Sequence, residues 1–132
     1  MKKILIVDED VKIMSYLDAD LKSTHNFDVI WLTSAEKVIE TLSSSVFDAI
    51  ILDIMMPIPP DWSSDEQRRA ESGLSTGIVL FEKIRVQFPS IPIIVYSAKR
   101  VSIEDKYTSI LRKPVLNSEI VEHLNKLINN EK

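Results

Sequence analysis

The sequence predicts an α/β protein built on a parallel sheet of five strands with helices on both faces. Short apolar runs rich in β-branched residues alternate with longer segments whose apolar residues recur every three or four positions. This alternation is typical of strand–helix–strand units, in which helices cover both faces of the sheet. The chain has 132 residues, 45% of them hydrophobic and 27% charged, which suits one compact domain.

The first half of the chain alternates strand, helix, strand and helix. Residues 4–7 are continuously apolar, as expected for a strand covered on both faces. The apolar spacing of residues 11–21 predicts a helix, and residues 27–32 are a candidate for the second strand. A capping-box pattern at residues 33–36 predicts a second helix that runs to about residue 42.

The second half repeats the pattern with three more strands and two more helices. Residues 49–52 and 93–96 are predicted as buried strands, and residues 109–112 as a weaker fifth strand. Helices are predicted from Gly77 to Phe88 and from Asn117 to Ile128.

Two connections depart from this rhythm. Residues 58–76, called the insertion below, form a long polar loop between the third strand and the third helix. Within it, Ser63 and Glu66 suit the capping box of a short helix that Gly73 would end. Only residues 98–112 separate Ser97 from Lys113, the residue that follows the predicted fifth strand. We therefore expect a shortened fourth helix, over residues 102–107.

Right-handed crossovers leave few topologies for five parallel strands. The order 2-1-3-4-5 of flavodoxin-like folds is the commonest for this size. We therefore predict a flavodoxin-like three-layer sandwich with an inserted loop before its third helix and a shortened fourth helix.

Composition excludes several classes of function. The net charge of −4 argues against a surface that neutralises nucleic-acid phosphates, and the absence of cysteine excludes disulfides and thiolate chemistry. No apolar run is long enough to span a membrane, and the apolar start of the chain is too short for an export signal. We expect a cytoplasmic protein without direct nucleic-acid or membrane partners.

Polar residues follow four predicted strands at the edge where parallel sheets bind ligands. Asp8 and Glu9 follow the first strand and Asp53 the third, while Ser97 and Lys113 stand at the ends of the fourth and fifth. Three crowded carboxylates repel one another unless a cation joins them. None of the side chains at these strand ends is His or Cys, so all the candidate ligands are oxygen atoms. Oxygen ligands favour a hard cation, and Mg²⁺ fits best.

These groups around one open position indicate phosphoryl transfer. Asp53 is the most central carboxylate, and its attack on phosphorus would give an acyl phosphate. Lys113 and the metal ion would offset charge on the equatorial oxygens, and Ser97 adds a hydroxyl donor. A lone Asp at a strand end is usually a helix cap or a solvated turn residue, so it is the combination on four strand ends that favours this chemistry.

The segments that carry these groups resemble the receiver domain of two-component response regulators, in the CheY-like superfamily. They are ILIVDED at residues 4–10, DAIILDIMMP at 48–57, VYSA at 95–98 and Lys113-Pro114, and they span nearly the whole chain. The resemblance implies a single receiver domain over residues 1–132. It would accept a phosphoryl group on Asp53 from a sensor histidine kinase or a histidine phosphotransfer protein, with Mg²⁺ as cofactor.

The resemblance also implies roles for the other residues of the site. Four groups would bind Mg²⁺: the side chains of Asp8, Glu9 and Asp53, and the backbone carbonyl of Met55. Three would bind the phosphoryl group: the switch hydroxyl of Ser97, the backbone N–H of Ala98 and the ammonium of Lys113. The Lys113–Pro114 bond is expected to be cis. Signalling would proceed through changed contacts with a downstream protein, so we expect no enzyme beyond self-catalysed phosphorylation and dephosphorylation.

Two features depart from the family pattern. The insertion adds about fifteen residues beside the phosphorylation site, either as a solvated loop without function or as a lid or partner surface. Trp62 within it is either a contact anchor or packed on the domain. The family's switch aromatic stands three residues before the lysine, where this chain has Ile110, which places the usual coupling to the switch hydroxyl in question.

Two other functions fit part of the pattern. A phosphatase of the haloacid dehalogenase type needs a second acid two residues after its nucleophile, where this chain has Met55. A pseudo-receiver that binds partners without phosphorylation is disfavoured by the intact site, although the altered segment before the fifth strand is compatible with it. The chain ends after its last predicted helix, so we expect no effector domain within it. It either acts alone through protein contacts or is an excised piece of a longer protein.

Overall fold

The computed structural model describes residues 1–129, and residues 130–132 of the predicted domain lie outside the described range. The five parallel strands lie in the order β2-β1-β3-β4-β5, which confirms the predicted topology. They are β1 (Lys3–Val7), β2 (Asp28–Leu32), β3 (Ala49–Leu52), β4 (Ile93–Ser97) and β5 (Thr108–Arg112).

Helices cover both faces of this sheet and give the predicted three-layer sandwich. They are α1 (Val11–Ser23), α2 (Val38–Ser44), α3 (Ser64–Arg69), α4 (Thr76–Gln87) and α5 (Asn117–Asn129). Because side chains of a strand alternate between faces, Ile4 and Ile6 pack against α1 and α5, while Leu5 and Val7 pack towards α2 and α4. Within residues 1–129, none of the helices combines the length and the apolar content that a membrane crossing requires.

The shortened fourth helix predicted between β4 and β5 is wrong, because residues 98–107 contain no helix. A helix rises only about 1.5 Å per residue and an extended chain about 3.3 Å, so a short connection covers the way back along β4 more easily without a helix. Arg85 of α4 holds the connection in place. Its guanidinium donates to the Asp105 carboxylate at 2.8 Å and to the carbonyl of Ile91 at 2.7 Å.

The second helix begins later than predicted. The expected capping box at residues 33–36 does not form, and α2 starts at Val38 without a side-chain cap. Ala35, in the middle of the predicted cap, is buried in the core, so this segment is drawn inward as a turn.

The insertion folds onto the domain instead of standing away from it. Ser63 and Glu66 form the predicted capping box at the start of α3. Trp62 and Ala70 are 9% and 0% exposed and belong to the core cluster beneath α4. The indole therefore packs on the domain, and the alternative of an exposed contact anchor does not hold.

Gly77 fixes how closely α4 approaches the end of β3. Its N–H donates to the carbonyl of Ile54 at 2.7 Å. A Cβ at this position would lie 2.2 Å from the carbonyl oxygen of Asp53, closer than any real contact. Only glycine permits this approach, which sets the backbone on which the candidate site is built.

Candidate functional site

Asp8 and Asp53 lie side by side at the carboxyl edge of the sheet. Each follows one of two neighbouring strands, and the hydrogen-bond ladder continues through both residues. The N–H of Asp8 donates to Leu32 and the N–H of Asp53 donates to Val7, each at 3.0 Å. The strand order thus brings together two carboxylates that are 45 positions apart in the sequence.

Lys113 joins the two carboxylates. Its Nζ lies 2.7 Å from Oδ2 of Asp8 and 3.6 Å from Oδ2 of Asp53. The backbone N–H of Lys113 donates to the carbonyl of Ser97 at 2.9 Å, which carries the β4–β5 ladder one residue further. The Lys113–Pro114 peptide bond is cis, as expected from the resemblance.

Backbone N–H groups hold the other oxygen of each carboxylate. Asp8 Oδ1 accepts from the N–H of Asp10 at 2.9 Å, and Asp53 Oδ1 accepts from the N–H of Ile54 at 2.8 Å. Both carboxylates are therefore fixed in orientation, and the second oxygen of each faces Lys113.

The environment changes the acidity of Asp53 and Lys113. Burial raises the pKa of Asp53, the charge of Asp8 raises it further, and Lys113 only partly offsets both effects. Burial alone would lower the pKa of Lys113, but its hydrogen bond to Asp8 and the charge of Asp53 raise it above its usual range. Lys113 therefore stays an ammonium, and the carboxylate of Asp53 is more basic than that of an ordinary aspartate.

Ser97 stands at the end of β4 beside this cluster and is 1% exposed. Its hydroxyl lowers the pKa of Asp53 by hydrogen bonding, although this effect is smaller than that of burial. The same oxygen accepts from the backbone N–H of Lys99 at 3.2 Å. Ala98, whose N–H was predicted to bind a phosphoryl group, is exposed.

The oxygen atoms of this cluster suit a hard divalent cation. Asp8 and Asp53 carry two negative charges against the single positive charge of Lys113, so one negative charge remains unbalanced. Glu9 is exposed, and no three acidic or histidine side chains gather as a metal site within residues 1–129. The assignment of Glu9 and of the Met55 carbonyl as ligands stays a prediction.

Lys99, two residues after Ser97, suits a solvated loop by sequence, but the structure shows it in contact with the insertion. Its ammonium donates to the hydroxyl of Ser75 at 2.7 Å and to the carbonyl of Leu74 at 3.1 Å, both in the insertion. A lysine in a polar loop resembles a solvated rim residue, and nothing in the local sequence shows that the insertion folds back to meet it.

The comparisons with known proteins establish the fold. No family model matches this sequence, and no curated protein matches it significantly. A response regulator receiver protein from Sinorhizobium medicae is similar in structure, with a TM-score of 0.77, 23% identity, and coverage of 99% of this chain and 97% of that one. A receiver domain from Francisella has a TM-score of 0.75 at 21% identity, with both chains covered in full.

A third similar structure was solved with ligands. It is the response regulator TrrA from Thermotoga maritima, in complex with Mg²⁺ and BeF, with a TM-score of 0.74 and 24% identity. The match covers 96% of this chain and 99% of that one. These structures share the CheY-like receiver fold with this chain, which agrees with the fold predicted from the sequence.

Proposed function

We propose that this chain is a phosphoacceptor receiver domain of two-component signal transduction. Asp53 accepts a phosphoryl group in a Mg²⁺-dependent reaction, and the protein signals through changed contacts with another protein. The observation that carries the proposal is the position of Lys113, whose ammonium lies between the carboxylates of Asp8 and Asp53. The likeness to receiver structures supports it independently.

The proposed reaction is a displacement at phosphorus. An oxygen of Asp53 forms a bond to phosphorus while the bond to the donor breaks, and the donor leaves with the bonding electron pair and then takes up a proton. The raised pKa of Asp53 makes this oxygen a better nucleophile. Lys113 and the Ser97 hydroxyl would stabilise negative charge on the phosphoryl oxygens. Mg²⁺, bound through Asp8 and Asp53, would neutralise charge in the same place.

The partners follow from this chemistry. The donor would be a phosphohistidine on a sensor histidine kinase or a histidine phosphotransfer protein, and one similar structure is the receiver domain of the hybrid histidine kinase CckA. The protein would not be an enzyme in the usual sense, because Asp53 both receives the phosphoryl group and retains it. Its product is a changed surface.

Intact mass measurement tests the proposal. Wild-type protein incubated with Mg²⁺ and acetyl phosphate should gain one phosphoryl group, and EDTA should prevent the gain. Asp53→Asn should gain none, while Asp28→Asn, which removes an exposed carboxylate on β2, should behave as wild type.

The two alternatives predict other outcomes. Continuous release of phosphate from a phosphoester, lost in Asp53→Asn, would identify an aspartate-nucleophile phosphatase. A wild-type protein that gains no phosphoryl group from any donor would overturn the proposal in favour of a pseudo-receiver.

A further inference from the structure

A single residue, Lys99, contacts both the hydroxyl of Ser97 and the insertion. Its backbone N–H donates to Ser97 Oγ at 3.2 Å. Its ammonium donates to the Leu74 carbonyl at 3.1 Å and to the Ser75 hydroxyl at 2.7 Å. A rotation of the Ser97 side chain that moves Oγ therefore acts directly on the residue that holds the end of the insertion.

The segment that Lys99 holds has an unfavourable backbone. Glu71 and Ser72 are non-glycine residues with φ values of 53° and 58°, a left-handed conformation that residues with a Cβ disfavour. The Ser75 hydroxyl donates to the Glu71 carboxylate at 3.1 Å while it accepts from Lys99. Lys99 thus stabilises a turn that local backbone preference opposes.

The same end of the insertion also contacts the segment after Asp53. The N–H of Met56 donates to the carbonyl of Gly73 at 3.1 Å, and the hydroxyl of Thr76 donates to the carbonyl of Met56 at 2.5 Å. The insertion therefore bridges the two loops that follow β3 and β4, which carry the phosphoacceptor and the switch hydroxyl. A change in the relative position of these two loops is therefore transmitted to the insertion.

We propose that Lys99 couples phosphorylation of Asp53 to the loosening of the turn at residues 71–75, so that this end of the insertion reports the state of the site. The proposal rests on the function proposed above. A phosphoryl group on Asp53 recruits the Ser97 hydroxyl, and the N–H of Lys99 then loses its acceptor. The added negative charge draws the Lys99 ammonium away, and Leu74 and Ser75 lose their cationic donor.

This route does not need an aromatic switch residue. The usual position of that aromatic is occupied by Ile110, which is 37% exposed on β5, an edge strand of the sheet. The proposed structural change passes instead from the end of β4 to the insertion. The insertion follows β3, which flanks β4 on the side away from β5.

Amide hydrogen exchange measured by NMR tests the proposal at three reporters. The N–H groups of Gly73, Leu74 and Ser75 are hydrogen-bonded within the turn, at 3.0, 3.0 and 2.8 Å. In unphosphorylated Lys99→Met, their exchange should be about fivefold faster than in wild type, because the turn loses its cationic donor. Arg100→Met is the matched control, since it removes the same charge from an exposed neighbour, and its exchange should equal that of wild type.

Phosphorylation should reproduce this effect in wild type. With Mg²⁺ and excess acetyl phosphate, the three amides of wild type should exchange about fivefold faster, and those of Lys99→Met should change no further. Intact mass establishes separately whether the phosphoryl group is present. A phosphorylated wild type with unchanged amides overturns the coupling and leaves the proposed function standing. Equal acceleration in Arg100→Met also overturns it, and a wild type without a phosphoryl group overturns both proposals.

Discussion

The carboxylate of Asp53 is destabilised in the folded protein by burial and by the neighbouring charge of Asp8. Because its pKa is raised on folding, the stability that the protonated form contributes is present at acid pH and is lost as pH rises through the folded-state pKa. Asp53→Asn removes this loss. We therefore expect the variant to be more stable than wild type at pH 7.

Urea unfolding in EDTA at a series of pH values measures this difference. The stability gap between Asp53→Asn and wild type should shrink as pH falls and vanish below the ordinary carboxyl pKa. Asp28→Asn, the exposed control, should show no comparable gap. A variant less stable than wild type at pH 7 would contradict the assigned cause of the pKa shift.

At the scale of elements, the insertion behaves as part of the core. Trp62 is 9% exposed, and the ammonium of Lys83 lies 5.4 Å from the centre of its ring. The same ammonium pairs with Glu66 of α3 at 2.7 Å, so α4 holds the insertion by both apolar and charged contacts. A lid that swings free would have to break all of these.

Trp62→Ala should therefore cost about 3 kcal/mol in the free energy of unfolding, the usual cost of emptying a buried aromatic site. Tyr16→Ala on α1 is the control, because Tyr16 is 73% exposed and its loss should cost less than about 0.5 kcal/mol. Chemical denaturation followed by far-UV circular dichroism measures both. Equal small effects in the two variants would mean that the insertion is only loosely attached.

Elements that depend on local pattern were predictable, and those that depend on distant contacts were not. The strands over residues 4–7 and 49–52 are apolar throughout, and the capping box of Ser63 and Glu66 is a local signal. The absence of a helix in residues 98–107 depends on the distance back along β4 and on Arg85, which comes from another part of the chain. Nothing in the sequence of residues 102–107 indicates either that distance or the contact with Arg85.

At the scale of the whole molecule, strand order determines the site. The order 2-1-3-4-5 places the ends of β1 and β3 together, so the meeting of Asp8 and Asp53 follows from topology, while the long side chain of Lys113 reaches both from the end of β5. The position of Glu9 does not follow from topology, because a side chain beyond the strand end takes its direction from the loop. For the same reason the contact of Lys99 with Ser75 was not predictable.

The unbalanced charge at this edge of the sheet predicts how the whole domain responds to Mg²⁺. An ion that binds only the folded state raises the free energy of unfolding, by about 2.7 kcal/mol at a concentration 100 times its dissociation constant. The melting temperature of wild type should therefore rise as Mg²⁺ is titrated at constant ionic strength. Differential scanning calorimetry measures the rise, with Na⁺ replacing Mg²⁺ as the salt control.

The variants locate the ion within the site. Asp53→Asn and Asp8→Asn should each abolish most of the Mg²⁺-dependent rise, because each removes one of two carboxylates that Lys113 holds together. Glu9→Gln decides whether this exposed side chain turns inward to bind the ion. A reduced rise would place Glu9 among the ligands, and an unchanged rise would leave Asp8 and Asp53 as the carboxylate ligands. If Asp53→Asn kept the full rise, Mg²⁺ would bind elsewhere, and the carboxyl edge of the sheet would not be its site.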